Sequence, residues 1–223
     1  MIDPTGIKIR PPELRKRDYF PTQIFSHQVD PEVVEAFNAD LLNHIRKEQA
    51  EDSVGIERSN IPQLGGWHSR NDLHKATEFK PLLSLVHACA GQISEQLGYH
   101  KKRALQIGTM WAIINPPGSA NKAHIHPDCL WSGVYYVQTP EDCGNIEFTD
   151  PRTQNLMLPP KFEPNQPKPK SCWTKVTLTP EPGKFLIFPS WLYHSVAPNM
   201  SNQTGKDGER IIVSFNLSQK KGT

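Results

Sequence analysis

The stretch that decides the fold reads Gly118-Ser-Ala-Asn-Lys-Ala-His124-Ile-His126-Pro-Asp128. Alternate residues of a β-strand project to the same face, so His124 and His126 are expected to point together into a barrel interior. Neutral imidazole binds first-row divalent metals well, and two such side chains supply half of a coordination shell. This pattern alone is a weak signal, because histidines at the same spacing are also common on protein surfaces.

A second element strengthens the metal-site interpretation. It reads Gly183-Lys-Phe-Leu-Ile-Phe-Pro189-Ser-Trp-Leu-Tyr-His194, an apolar strand followed by a proline turn and a histidine. Such a strand is expected to lie in the core and to deliver His194 at its far end. His124, His126 and His194 together are therefore the candidate metal ligands.

The spacing of these two elements resembles the signature motifs of the cupin superfamily. Five residues lie between Gly118 and His124, and five lie between Gly183 and Pro189. The resemblance implies a double-stranded β-helix around the metal. Two features depart from the cupin pattern, since Trp191 replaces the usual glycine and the glutamate expected shortly after the H-x-H is missing.

Two helices are predicted before these elements. Asp30 is a good N-cap, Pro31 suits the first helical position, and apolar residues then recur at helical spacing to about Gln49. A second apolar helix follows Pro81 and ends near Gly98.

Beyond residue 104 the character of the sequence changes to short apolar strands bounded by glycine and proline. The predicted strands are Leu105–Ile114, Trp131–Gln138, Asn145–Thr149, Lys175–Leu178, Lys184–Phe188 and Arg210–Leu217. We therefore expect a mainly β fold, a cupin-like double-stranded β-helix or jelly roll with flanking N-terminal helices. One domain is expected over residues 1–223, with a helical part at about 1–104 and a β-helix core at about 105–217. The proline-rich residues 151–173 are predicted to form a long loop, either a lid or a plain insertion.

Composition excludes several classes of protein. With 36% hydrophobic residues among 223, the chain can build a real core, and a net charge of +2 does not favour nucleic acid as a partner. The four cysteines form no C-x-x-C pair, which indicates reduced thiols. No membrane span is predicted, and Met1–Arg17 lacks the apolar core of a signal peptide, so a cytoplasmic location is expected.

A third element suggests the cosubstrate. Sixteen residues after His194, the sequence Arg210-Ile-Ile-Val-Ser214 opens a strand. It resembles the closing motif of 2-oxoglutarate/Fe(II)-dependent oxygenases. That resemblance implies that Arg210 binds the distal carboxylate of 2-oxoglutarate and that Ser214 adds a hydrogen bond. A planar guanidinium suits this task because it can donate two parallel hydrogen bonds to one carboxylate.

The resemblance extends over roughly residues 105–217. Together with the stretches around Ser132–Tyr136 and Gly144–Arg152, the motifs resemble a group of 2-oxoglutarate/Fe(II) oxygenases from bacteria and cyanobacterial phages, distantly similar to prolyl 4-hydroxylases. The resemblance implies Fe(II), 2-oxoglutarate and hydroxylation of a small molecule or peptide that the sequence does not identify. Ser132 and Tyr135 are further candidates for cosubstrate binding, and no oligomeric state is predicted.

Several alternatives stay open. The third ligand is either His124 or Asp128, and Pro127 favours His124 because it bends the strand end away from simple alternation. A cupin-type enzyme that does not use 2-oxoglutarate, or a metal-free binding module, would leave Arg210 with a structural role. Asn115 is a weaker candidate to face the site. The remaining histidines lack ligand spacing and are expected to lie outside it: His27, His44, His68, His74, His87 and His100.

Overall fold

The computed structural model describes residues 13–158 and 160–219. Within them two α-helices, α1 (Pro31–Glu51) and α2 (Lys80–Gln96), accompany ten β-strands. The strands are β1 Phe25–Gln28, β2 Trp67–His68, β3 Leu105–Asn115, β4 Asn121–His124, β5 Trp131–Gln138, β6 Ile146–Thr149, β7 Lys175–Leu178, β8 Lys184–Pro189, β9 His194–Val196 and β10 Arg210–Gln219.

The strands form two antiparallel sheets. The major sheet has the order β1-β8-β5-β10-β3-β2, and the minor sheet has the order β4-β9-β6-β7. One core cluster combines residues of both sheets, such as Trp111, Val134 and Ile212 from the major sheet with Ile146 and Phe148 from the minor one. The two sheets therefore pack face to face, and the predicted double-stranded β-helix is confirmed.

The helices cover the other face of the major sheet. The Asp30 side chain accepts a hydrogen bond from the backbone N–H of Glu32 at 2.9 Å, and Pro31 occupies the first turn of α1, as predicted. A second, larger core cluster joins Leu41 and Ile45 of α1 and Leu82 and Val86 of α2 to the sheet. Among the described residues, no helix is long and apolar enough to cross a membrane.

Strand alternation divides the major sheet into two functional faces. On β10, the side chains that pack toward the helices are Ile211, Val213, Phe215 and Leu217. The intervening side chains line the cavity between the sheets: Arg210, Ile212 and Ser214. The same alternation on β3 and β5 decides which residues can reach the site.

Three short strands were not predicted: β1, β2 and β9, which have two to four residues each and so span too few positions for a clear period. A strand was expected at the H-x-H: β4 contains His124, whereas His126 lies two residues beyond its end. β1 and β2 come from the part of the chain predicted to be helical, yet they form the two edges of the major sheet. Within residues 151–158 and 160–173 no strand occurs, which agrees with the predicted loop.

A buried polar link joins α1 to β5. The Tyr135 hydroxyl donates to Asn38 Oδ1 at 2.6 Å, and Asn38 Nδ2 donates to the Val137 carbonyl at 2.9 Å. The Asn38 amide thus satisfies two groups that would otherwise be buried without a partner.

We predict that Asn38→Ala lowers the free energy of unfolding by about 2–3 kcal/mol, because it leaves the Tyr135 hydroxyl and the Val137 carbonyl unsatisfied. Urea unfolding followed by circular dichroism measures the change. Asn43→Ala provides the control, since Asn43 is exposed on the same helix. Equal stability of the two variants would contradict the structural role of Asn38.

Candidate active site

The three candidate ligands come from two adjoining segments. His124 ends β4 and lies opposite His194, the first residue of β9, in the register of the minor sheet. His126 follows two residues later, and its backbone N–H donates to the Ser190 carbonyl at 2.9 Å. This pairing brings histidines that are 68 residues apart into one cluster.

The geometry of the cluster suits a metal ion. The ring centroids of His124 and His194 are 4.3 Å apart, and His126 lies 5.1 Å and 5.2 Å from them respectively. One potential ligand nitrogen from each ring lies within 4.8 Å of the other two. Among the described residues, no other set of three His, Cys, Asp or Glu side chains meets this criterion.

Two of the rings are oriented by the backbone. His124 Nδ1 lies 2.7 Å from the Lys122 carbonyl, and His194 Nδ1 lies 2.9 Å from the Leu192 carbonyl. An Nδ1–H that donates to a carbonyl leaves the Nε2 lone pair free for a metal.

Burial holds two of the three rings, His126 and His194, in the neutral form that metals require. Burial lowers the pKa of His194 to about 3, although its hydrogen bond to Leu192 acts in the opposite direction. Burial, with a smaller contribution from His124, lowers the pKa of His126 to about 4. Both rings are therefore neutral at physiological pH.

Asp128 is not brought to the cluster. It is exposed and has a left-handed backbone with φ of 64°, so the chain has already turned away from the strand direction of His124 and His126. The structure therefore favours the three-histidine set over the set that includes Asp128.

A cavity of about 250 Å³ adjoins the histidines between the two sheets. Its lining includes Arg210, Ser214, Tyr136 and Asn115, and no aspartate or glutamate among the described residues contributes to it. The cavity thus offers hydrogen-bond donors and positive charge with no competing carboxylate.

Arg210 is the most unusual residue of the cavity. Its side chain is 1% exposed, and Nη1 donates to the carbonyls of Cys143, Gly144 and Ala197. Burial lowers the pKa of Arg210, yet a guanidinium remains charged at neutral pH. Nη2 is buried without a hydrogen-bond partner, and no carboxylate of the described residues forms an ion pair with it. A buried charge needs a counter-charge, so a ligand carboxylate fits this position.

The prediction for Tyr135 is wrong in its placement. Its side chain is fully buried on the helix-facing side of the sheet and donates its hydroxyl to Asn38. Ser132 lies three residues earlier on the same strand, so the two cannot face the same side. Ser132 Oγ donates to Asn216 Oδ1 at 2.8 Å and does not line the cavity. Ser214 does line it, and so does Asn115.

Sequence reasoning missed two residues of the cavity. Tyr136 lines it beside Arg210, and burial raises its pKa above the usual value for tyrosine. Strand alternation could have identified Tyr136, because it shares its strand face with Ser132 and Val134. His68 also lines the cavity, but it lies on the two-residue strand β2 and carried no ligand spacing.

The sequence from β3 to β10 matches a known family. Residues 109–216 fit the family model described as "Putative 2OG-Fe(II) oxygenase". This match to the 2OG-Fe(II) oxygenase family covers just under half of the chain. The matched range contains the three histidines and Arg210. No curated protein matches the sequence of the chain.

Solved structures share the fold of this oxygenase. A prolyl-4-hydroxylase of Pseudomonas putida is 15% identical, with a TM-score of 0.59 over 89% of this chain and 94% of that one. The epimerase SnoN of nogalamycin biosynthesis, in complex with Fe3+, alpha ketoglutarate and nogalamycin RO, is 13% identical, with a TM-score of 0.61 over 88% and 79%. A Trichoplax adhaerens prolyl hydroxylase, in complex with a hypoxia inducible factor peptide fragment, is 15% identical, with a TM-score of 0.56 over 88% and 84%. At these identities the likeness shows the fold alone.

We predict that His124→Ala and His194→Ala each abolish tight binding of Fe(II) or Co(II), because each removes one of three ligands. Asp128→Asn should bind as the wild type does, since asparagine tolerates the left-handed backbone and the carboxylate lies outside the cluster. Anaerobic calorimetric titration measures the affinities. Loss of binding in Asp128→Asn with retention in His124→Ala would assign the site to the other ligand set.

Proposed function

We propose that this oxygenase binds Fe(II) and 2-oxoglutarate and couples oxidative decarboxylation of 2-oxoglutarate to hydroxylation of a substrate. One observation carries the proposal: a buried guanidinium without a carboxylate partner opens into the cavity that also contains the three-histidine cluster. The family match over residues 109–216 supports the same conclusion.

The donor set fits the two groups. His124, His126 and His194 would hold Fe(II), which prefers imidazole among its ligands and supplies the oxygen chemistry when bound. Arg210 would hold the distal carboxylate of 2-oxoglutarate, and the cavity-lining hydroxyls of Tyr136 and Ser214 would supply further hydrogen bonds.

Apolar side chains form much of the remaining cavity wall. Ile146 and Val196 of the minor sheet face Ile113, Phe188 and other apolar side chains of the major sheet. Such walls keep reactive species from solvent and strengthen the interaction of Arg210 with a carboxylate.

We predict that Arg210→Gln weakens 2-oxoglutarate binding about 10- to 100-fold, as expected for losing charge-assisted hydrogen bonds, while Fe(II) affinity stays unchanged. The measurements are anaerobic titration, followed by the visible absorption of the Fe(II)–2-oxoglutarate complex, and succinate formation. Arg210→Lys should recover part of the affinity because it keeps the charge.

The control is Arg152→Gln, which removes an exposed arginine that is paired with Asp150. Succinate formation that is insensitive to Arg210→Gln would point to a structural arginine. If folded, iron-loaded protein shows no absorption band and forms no succinate, the proposal is contradicted and a cupin-type enzyme or a binding module is favoured.

The mouth of the cavity indicates a class of substrate. Its more exposed lining residues are Asn60, Asn121 and Arg58, and the Arg58 guanidinium is paired with Asp52. The Asn60 amide oxygen accepts from the Lys122 N–H, and the Asn121 amide oxygen accepts from Asn115 Nδ2, so the amide N–H groups of Asn60 and Asn121 are left as donors. We propose that the substrate, a small molecule or a peptide, presents oxygen acceptors to this mouth.

We predict that acidic or amide-rich compounds, and not cationic amines, stimulate succinate formation above the rate seen without substrate. The measurement uses amino acids and short peptides, each supplied as the free carboxylate, the amide and the decarboxylated amine. The decarboxylated amines serve as the matched controls. Stimulation by these amines alone would contradict the proposed class.

A further inference from the structure

Aromatic stacking connects the histidine cluster to the edge of the major sheet. Trp111 on β3 stacks against His126, with ring centroids 5.8 Å apart and an interplanar angle of 27°. Trp111 also stacks against His68 on β2, at 5.7 Å and 9°. His126 in turn lies nearly parallel to His194, at 5.2 Å and 7°. Four rings thus form a continuous series that ends inside the candidate metal centre.

His126 depends on this stacking for its orientation. His124 and His194 each have an Nδ1 hydrogen bond to a backbone carbonyl, whereas the His126 ring has no such bond within the described residues. The one ring-nitrogen contact of His126 is Nε2 to His194 Nε2 at 3.3 Å, between two atoms that would face the same metal. The plane of the His126 ring is therefore set by ring contacts, and Trp111 makes the one that comes from outside the histidine cluster.

The other end of the series is firmly anchored. His68 Nδ1 lies 2.6 Å from the Ser69 carbonyl, which fixes the ring, and the His68 carbonyl accepts from Arg58 Nε at 3.1 Å. Ser69 Oγ accepts the backbone N–H of Ala112 at 2.9 Å, directly beside Trp111. His68 and Trp111 thus form a rigid pair against which His126 rests.

The indole N–H of Trp111 has no partner. The side chain is 8% exposed, and Nε1 is buried without a hydrogen bond within the described part of the chain. The other two buried tryptophans are satisfied, since Trp67 donates to the Asp52 carbonyl and Trp131 donates to the Tyr99 hydroxyl. Buried indole N–H groups usually find an acceptor, so a ligand oxygen is the expected partner in this cavity.

The register of the sheet indicates which ligand supplies that oxygen. Arg210 lies opposite Asn115, and Ser214 lies opposite Trp111, four residues farther along both strands. A dicarboxylate held by Arg210 at one end would therefore have Trp111 and His126 near its other end.

We infer that Trp111 is a positioning residue of this site: its ring face sets the plane of His126, and its N–H donates to the keto-acid end of 2-oxoglutarate. The inference rests on the proposed function. Two substitutions of Trp111 separate the two contributions of its side chain. Phenylalanine retains an aromatic face and lacks the donor, whereas leucine lacks both.

The experiment uses Co(II) as the metal probe and N-oxalylglycine, an analogue of 2-oxoglutarate, as the ligand probe. Trp111→Leu should weaken Co(II) binding about 10- to 100-fold, as is typical when a residue that orients a metal ligand is lost, and should alter the visible Co(II) spectrum. Trp111→Phe should keep Co(II) affinity within about threefold and lose about tenfold in N-oxalylglycine affinity. His68→Leu should shift Co(II) binding in the same direction as Trp111→Leu and by less.

Trp131→Phe is the matched control, because it alters a buried tryptophan in the helix-facing core and should leave both affinities unchanged. Wild-type affinity and spectrum in Trp111→Leu would overturn the orienting role. Unchanged N-oxalylglycine affinity in Trp111→Phe would overturn the donor role. If Trp111→Leu does not fold, Trp111→Phe and His68→Leu decide the outcome. Failure of the proposed function would give a different result from failure of the Trp111 inference. In that case the wild type would bind no Co(II), or His194→Ala would still bind it.

Discussion

A single buried guanidinium links the two sheets and sets the character of the space between them. Arg210 begins β10 in the middle of the major sheet, yet its Nη1 reaches the carbonyls of Cys143, Gly144 and Ala197, which flank strands of the minor sheet. Gly144 is required for this approach, because a Cβ there would lie 2.2 Å from the Ala197 carbonyl oxygen and 2.8 Å from Arg210 Nη1. Arg210 Nη2 has no hydrogen-bond partner among the described residues, so under the proposed function the residue that ties the sheets together would also bind the cosubstrate.

Because side chains alternate along a strand, the residues that stabilise the fold and the residues that line the cavity lie on opposite faces of the same strands. Tyr135 and Tyr136 are neighbours, but Tyr135 stabilises the contact with α1 through Asn38 while Tyr136 lines the cavity beside Arg210. The helices cover one face of the sheet, and the other face carries polar groups that lack hydrogen-bond partners among the described residues.

These features explain which predictions from the sequence succeeded. Strands β5 and β7 were predicted with their observed bounds, and Arg210 with Ser214 was correctly placed on one strand face. β5 and β10 are long, mainly apolar runs, and the four residues of β7 alternate between polar and apolar. Tyr135 was misplaced because the pair Ser132 and Tyr135 was chosen by residue type, although an odd spacing puts them on opposite faces. His68 could not be found, since its relation to Trp111 arises from pairing between β2 and β3, about 45 residues apart in the chain, which no local pattern reveals.

The three-histidine ligand set has an electrostatic consequence for how a metal and a cosubstrate would bind in the cavity. Three neutral imidazoles bring no negative charge to a divalent metal, and no acidic residue of the described chain lines the cavity. Under the proposed function, the dianion of 2-oxoglutarate would supply compensating negative charge, with one carboxylate at Arg210 and the other near the three histidines. Metal and cosubstrate would then stabilise each other through the low-dielectric interior, and by linkage each would raise the affinity of the site for the other by the same factor. Such binding would also give partners to two buried donors, Arg210 Nη2 and Trp111 Nε1, which have no hydrogen-bond partner among the described residues.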